Sequence, residues 1–175
     1  MYRGLPISGS SAGSAVGTAR LSEPMPDRVV QSSPLQGSMN VEFTQISDLG
    51  KVRQGNEDYA GHAAPEGPDR VRSHGWLFVL ADGVGGHDFG EIASRTAVET
   101  VLAGFQKSPA GEAHGPLLGR LVQSANKHVI DVGHDSGHTG ASMATTIVVC
   151  ALRYDRAAIA HVGDSRCYLI RRSQA

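Results

Sequence analysis

Residues 76–81 read Trp76-Leu77-Phe78-Val79-Leu80-Ala81, six apolar side chains in unbroken succession. A run of that length without polar alternation predicts a strand buried on both faces, because a half-exposed strand would alternate. The fold must therefore place material on either side of it. The run ends in Asp82-Gly83-Val84-Gly85-Gly86-His87, which puts a carboxylate directly after the buried stretch. A carboxylate is costly to bury unless it is paired, hydrogen-bonded or holding a metal.

Other elements can be read around this strand. Val41, Phe43 and Gln45 alternate with Glu42, Thr44 and Ile46, which predicts an edge or sheet-end strand. Gly61, Gly67, Pro68 and Asp69 mark a turn-rich connector. Glu91 to Phe105 reads as a helix, with Ala93, Ala97, Thr100, Val101 and Phe105 on one face and Glu91 in the first turn, where the dipole favours an acid. A second helix is expected from Pro116 to Asp131, with Pro116 near its first position and a stripe of Leu118, Leu121, Val122, Ala125, Val129 and Val132. A polar loop over 133–142 leads to strand candidates Thr145–Leu152, Ala157–Val162 and Cys167–Arg171, the first two joined through Tyr154-Asp155-Arg156. Strands, two helices and strands again predict an α+β fold, with helices packed on a mostly antiparallel sheet.

Residues 1–38 differ in kind. Ser8 to Ser14 is low-complexity, and Pro24, Pro26 and Pro34 interrupt any regular element. A disordered tail is expected there, with the folded part over 39–175 and Met39 as an alternative start. The net charge is −1 with acids and bases interspersed, so no basic face for nucleic acid or anionic lipid is expected. No apolar stretch reaches the roughly 20 residues of a membrane helix. The N-terminus has no apolar core of an export signal, which leads us to expect a cytoplasmic protein. Cys150 and Cys167 are too few and too far apart for a zinc or redox motif, and read as reduced core residues.

Three short segments carry candidate chemistry. In Arg53-Gln54-Gly55-Asn56-Glu57-Asp58, Asp58 offers a hard oxygen of the kind Mg²⁺ and Mn²⁺ prefer. Glu57 points the other way on an extended chain, so a water-mediated contact suits it, and Arg53 presents a planar fork to phosphate oxygens. A solvated surface turn is the plain alternative. In the second segment, Asp82 and the Gly83 carbonyl could share a cation, the glycines letting the backbone approach closely. A glycine-rich hairpin is the alternative there. Neither glycine-loop nucleotide motif fits, because Asp88 stands where a glycine is needed and no Gly-Lys-Ser/Thr follows. Gly163-Asp164-Ser165-Arg166 adds a third acid between strands, or a structural type I turn. Among the histidines, His87 is placed to donate a proton near neutral pH, His134 and His138 fall in a loop, and His161 reads as a core histidine.

Taken in order, these segments resemble the metal-dependent protein phosphatases of the PPM family (type 2C), in their bacterial form. The resemblance rests on Ser47 to Asp58, Ala81 to His87 with Gly90 to Ser94, Met143 to Thr146, and His161 to Leu169. It implies the first half of an α-β-β-α β-sandwich, with two or three Mn²⁺ or Mg²⁺ ions and a bridging water that attacks phosphoserine or phosphothreonine. By position, Asp58 matches the acid bridging two metals, Asp82 and the Gly83 carbonyl match metal ligands, and Glu57 a water-mediated ligand. Arg53 matches the phosphate-binding arginine and Asp164 the acid of a third metal. Val84 stands where animal members carry a histidine, and Ala144 where a glycine is usual. The resemblance further implies phosphorylated protein substrates and a serine/threonine kinase as counterpart, and a monomer is expected. It predicts a second half with further metal-binding aspartates beyond Ala175, so a catalytically impaired fragment or a metal-binding regulatory module is the alternative function.

Overall fold

The computed structural model describes residues 41–49, 51, 55–84, 88–136 and 143–171. The expected tail, Met39, Arg53, His87 and His138 lie outside the described residues. The elements are β1 (Asp58–Ala63), α1 (Pro68–Ser73), β2 (Trp76–Val84), α2 (Asp88–Gln106), α3 (His114–Asp135), β3 (Ala144–Thr145), β4 (Ile147–Arg153) and β5 (Arg156–Val162). The sheet runs β1-β2-β4-β5 with every pair antiparallel, and β3 pairs with the end of β2. The α+β architecture read from the sequence is the observed one.

Strand alternation separates two faces. Leu77, Val79 and Ala81 of β2, with Ile147, Val149 and Ala151 of β4, face the helices and form one core with Ala93, Ala97, Val98, Val101 and Phe105 of α2. Helix α3 adds Leu117, Leu118, Leu121, Ala125 and Val129. On the outer face, Trp76 and Leu152 are buried beneath Val41, whereas Phe78 and Cys150 are only partly covered. The expected burial of β2 on both faces therefore holds fully on the helix side and in part on the other.

Several elements differ from the sequence reading. Residues 41–46 are not a strand: Val41 is buried, and Phe43 sets its ring 4.4 Å from His62 and 5.2 Å from Phe78. Aromatic anchoring onto the outer face takes the place of backbone pairing at the edge. The connector over 61–69 instead contains the second half of β1 and the start of α1. The second helix begins two residues before Pro116 and extends to Asp135, so His134 is an exposed residue of its last turn rather than a loop residue. Cys167–Arg171 forms no strand; it lies beside the outer face, where burial, with the Cys167 thiol nearby, pushes the Cys150 thiol up to about 12. His161, read as a core histidine, is exposed on β5. The β4–β5 hairpin turns at Tyr154-Asp155, with Tyr154 at φ 56°.

Candidate metal centre

The β1–β2 register places Asp58 directly opposite Asp82. Side chains so placed in an antiparallel pair share a face, with Cβ atoms about 4.5–5.5 Å apart. That face is the outer one, since Ala81 and Val79, an odd number of residues from Asp82 along the strand, point to the helices. Two ionised acids about 4 Å apart repel by roughly 4 kcal/mol at an effective dielectric of 20. The fold nevertheless holds the Asp82 residue with only 8% of its surface exposed.

Each acid is fixed through its backbone. The Asp82 N–H donates to the Thr146 hydroxyl (3.1 Å), and the Asp82 carbonyl accepts from the Thr146 N–H (2.9 Å) and the Thr145 hydroxyl (3.0 Å). Thr146 Oγ1 in turn meets Ser165 Oγ at 2.6 Å, both residues buried. The Asp58 N–H donates to Asn56 Oδ1 (3.0 Å), a local Asx turn, while Asn56 Nδ2 donates to Ser47 Oγ (2.6 Å). Asp58, Gln45, Ser47, Ala60 and Leu80 border an open cavity of about 290 Å³.

Glu57 takes the opposite face, as its position on an extended chain predicts. Its carbonyl accepts the Gly83 N–H (3.0 Å), and its carboxylate lies against Gly90 in the first turn of α2, so that a Cβ there would come within 2.7 Å of Oε2. The positive end of a helix suits that acid. A Cβ on Gly83 would collide with the Gly90 carbonyl, so the glycine at 83 lets β2 and α2 meet.

Asp164 is exposed in the bend after β5. Among the described residues, no group of three or more acidic, histidine or cysteine side chains is arranged to hold one cation. The structure thus brings Asp58 and Asp82 together, places Glu57 behind them, and ties Asp164 to them only through its neighbour Ser165. Thr146 and Ser165 lie in segments read from the sequence, yet their contacts depend on strand register, which no local signal gives. The donor set is hard oxygen, and two opposed carboxylates fit a cation that completes its shell with water and substrate oxygens.

A family model described as Protein phosphatase 2C matches residues 56–175. The chain is 32% identical over 134 residues to protein phosphatase PhpP of Streptococcus pneumoniae, covering 75% of this chain and 51% of that protein. It is 32% identical over 135 residues to the serine/threonine phosphatase stp of Listeria innocua, covering 75% and 50%. Among solved structures, the serine/threonine phosphatase PstP/Ppp of Mycobacterium tuberculosis superposes with a TM-score of 0.60 at 31% identity, over 73% of this chain and 48% of that one. A PstP catalytic domain in complex with two manganese ions gives 0.60 at 30% identity, over 73% and 50%. The chain spans about half the length of the curated relatives it matches.

Proposed function

Because the chain belongs to the protein phosphatase 2C family, we propose that it hydrolyses phosphoserine and phosphothreonine in proteins at the Asp58–Asp82 centre. The observation that carries this reading is the register pairing of the two acids on one face of the sheet. Asp58 and Asp82, with the Gly83 carbonyl, would hold Mn²⁺ or Mg²⁺; Glu57 would act through water, and Asp164 would serve a third ion. The manganese complex of the PstP catalytic domain supports that choice of metal. Divalent cations there would supply a nucleophile from water at neutral pH and neutralise charge on the phosphoryl oxygens.

The protein's own part is to hold the oxygens and the phosphate. Thr146 and Asn56 fix the backbones of Asp82 and Asp58, so little reorganisation is needed when charge develops. Arg53, five residues before Asp58, would grip the phosphate with its fork. A phosphoprotein substrate needs a kinase to make it, so a serine/threonine kinase is the counterpart this reading implies. A cytoplasmic monomer is the state we attach to it.

The donor count favours a second reading. With two converging carboxylates among the described residues, the chain would bind the cation without turnover. Hydrolysis of a phosphothreonine peptide with and without Mn²⁺, by the 175-residue chain and by Asp82→Asn, separates the two. The first reading expects Mn²⁺-dependent turnover that Asp82→Asn lowers at least about 100-fold, the upper end for disturbing a metal site. Equal rates in both proteins would refute it, and metal uptake without turnover would establish the second.

A further inference from the structure

Thr146 occupies an unusual place in the sheet. The same offset relates Leu80↔Val148 and Gly83↔Thr145, which sets Thr146 opposite Asp82, yet the strand is interrupted there between β3 and β4. At this break the Thr146 side chain, rather than backbone alone, engages Asp82: its hydroxyl accepts the Asp82 N–H while its own N–H donates to the Asp82 carbonyl. The same hydroxyl meets Ser165 Oγ at 2.6 Å. Ser165 follows Asp164, and the loop is pressed onto Thr146 at Gly163, whose φ is 95° and where a Cβ would lie 2.8 Å from Thr146 Cγ2. One buried hydroxyl therefore joins the strand end that carries Asp82 to the loop that carries Asp164.

We propose that Thr146 and Ser165 are positioning residues, a hydroxyl clamp that fixes the Asp82 backbone and the Asp164 loop relative to each other for cation binding. The inference rests on the metal-centre reading above and adds to it. The hydroxyl capacities balance: Thr146 Oγ1 spends one lone pair on the Asp82 N–H and keeps a proton and a second lone pair, either of which suits Ser165. Partners that orient ligating groups typically change metal affinity by about 10–100-fold when removed. A valine at 146 would keep the shape and delete the clamp.

The test measures thermal unfolding and Mn²⁺ titration calorimetry on the 175-residue chain and its variants, at a temperature where circular dichroism shows each folded. Thr146→Val should weaken Mn²⁺ binding about 10-fold or more, and Thr146→Ser should restore it. The double variant Thr146→Val/Ser165→Ala also removes the orphaned serine hydroxyl, though the Asp82 N–H stays unpaired, so it should regain part of the melting temperature lost by Thr146→Val without regaining affinity. If Thr146→Val fails to fold, the double variant decides: weakened binding supports the clamp and wild-type binding overturns it. Wild-type affinity in a folded Thr146→Val, with binding lost in Asp82→Asn, overturns the clamp alone. Equal uptake by wild type and Asp82→Asn overturns the metal centre, and the clamp with it.

Discussion

Asp58 and Asp82 were each identifiable as candidate ligands from their sequence surroundings, but their opposition follows from a register that spacing alone cannot set. Gly83 shows a complementary limit. Its freedom suits close approach to a ligand, and the structure adds close packing against Gly90. Gly83→Ala should therefore destabilise the fold by about 1–3 kcal/mol through overpacking, measured by urea unfolding. Away from the centre, the buried His114 donates Nε2–H to the His74 carbonyl at 2.8 Å. Burial holds its pKa below the ordinary 6.5, helped by Arg153 and His74 and opposed by the hydrogen bond to the His74 carbonyl. The unfolded chain then binds the extra proton first, so the stabilisation is complete above about pH 6.5 and is lost as pH falls toward the folded value. Melting temperature should drop between pH 7 and 5, and His114→Gln should flatten that slope; an unchanged slope would place the titration elsewhere.

At the scale of elements, legibility follows how much of each element is determined locally. The two long helices and the β2 strand announce themselves through periodicity and unbroken apolar character, with errors confined to their ends. Strand β1 reads Asp-Tyr-Ala-Gly-His-Ala, with no β-branched residue, and exists because β2 offers it an edge. Helix α1 is marked locally by Pro68 in its first turn and by Gly75, at φ 72°, just beyond its end. The 41–46 segment misled because its alternation reflects anchoring onto the outer face, which mimics a strand pattern. Helix α3 packs on α2, and its Leu118 is 1% exposed in the common core. Leu118→Ala should cost about 2–5 kcal/mol in chemical denaturation, as expected for a cavity between layers.

For the whole molecule, the two sheet faces are unequal. Helices cover one, while Ile159, Tyr168 and Leu169 leave much of the other exposed. Trp76 Nε1, buried beneath Val41, has no hydrogen-bond partner among the described residues. A β-sandwich, which the family resemblance implies, would lay a second sheet over that face. The 175-residue chain should accordingly bind a hydrophobic dye such as ANS, and Ile159→Lys should lower the signal while leaving the melting temperature within a few degrees. Dye binding unchanged by that substitution would mean the exposed surface lies elsewhere. Whether the two acids paired across β1 and β2 hold a divalent cation can be read from an anomalous difference map at the manganese edge, from crystals grown with Mn²⁺. A peak between the Asp58 and Asp82 carboxylates is the expected result; a map with no peak there, at full Mn²⁺ concentration, would refute a shared cation.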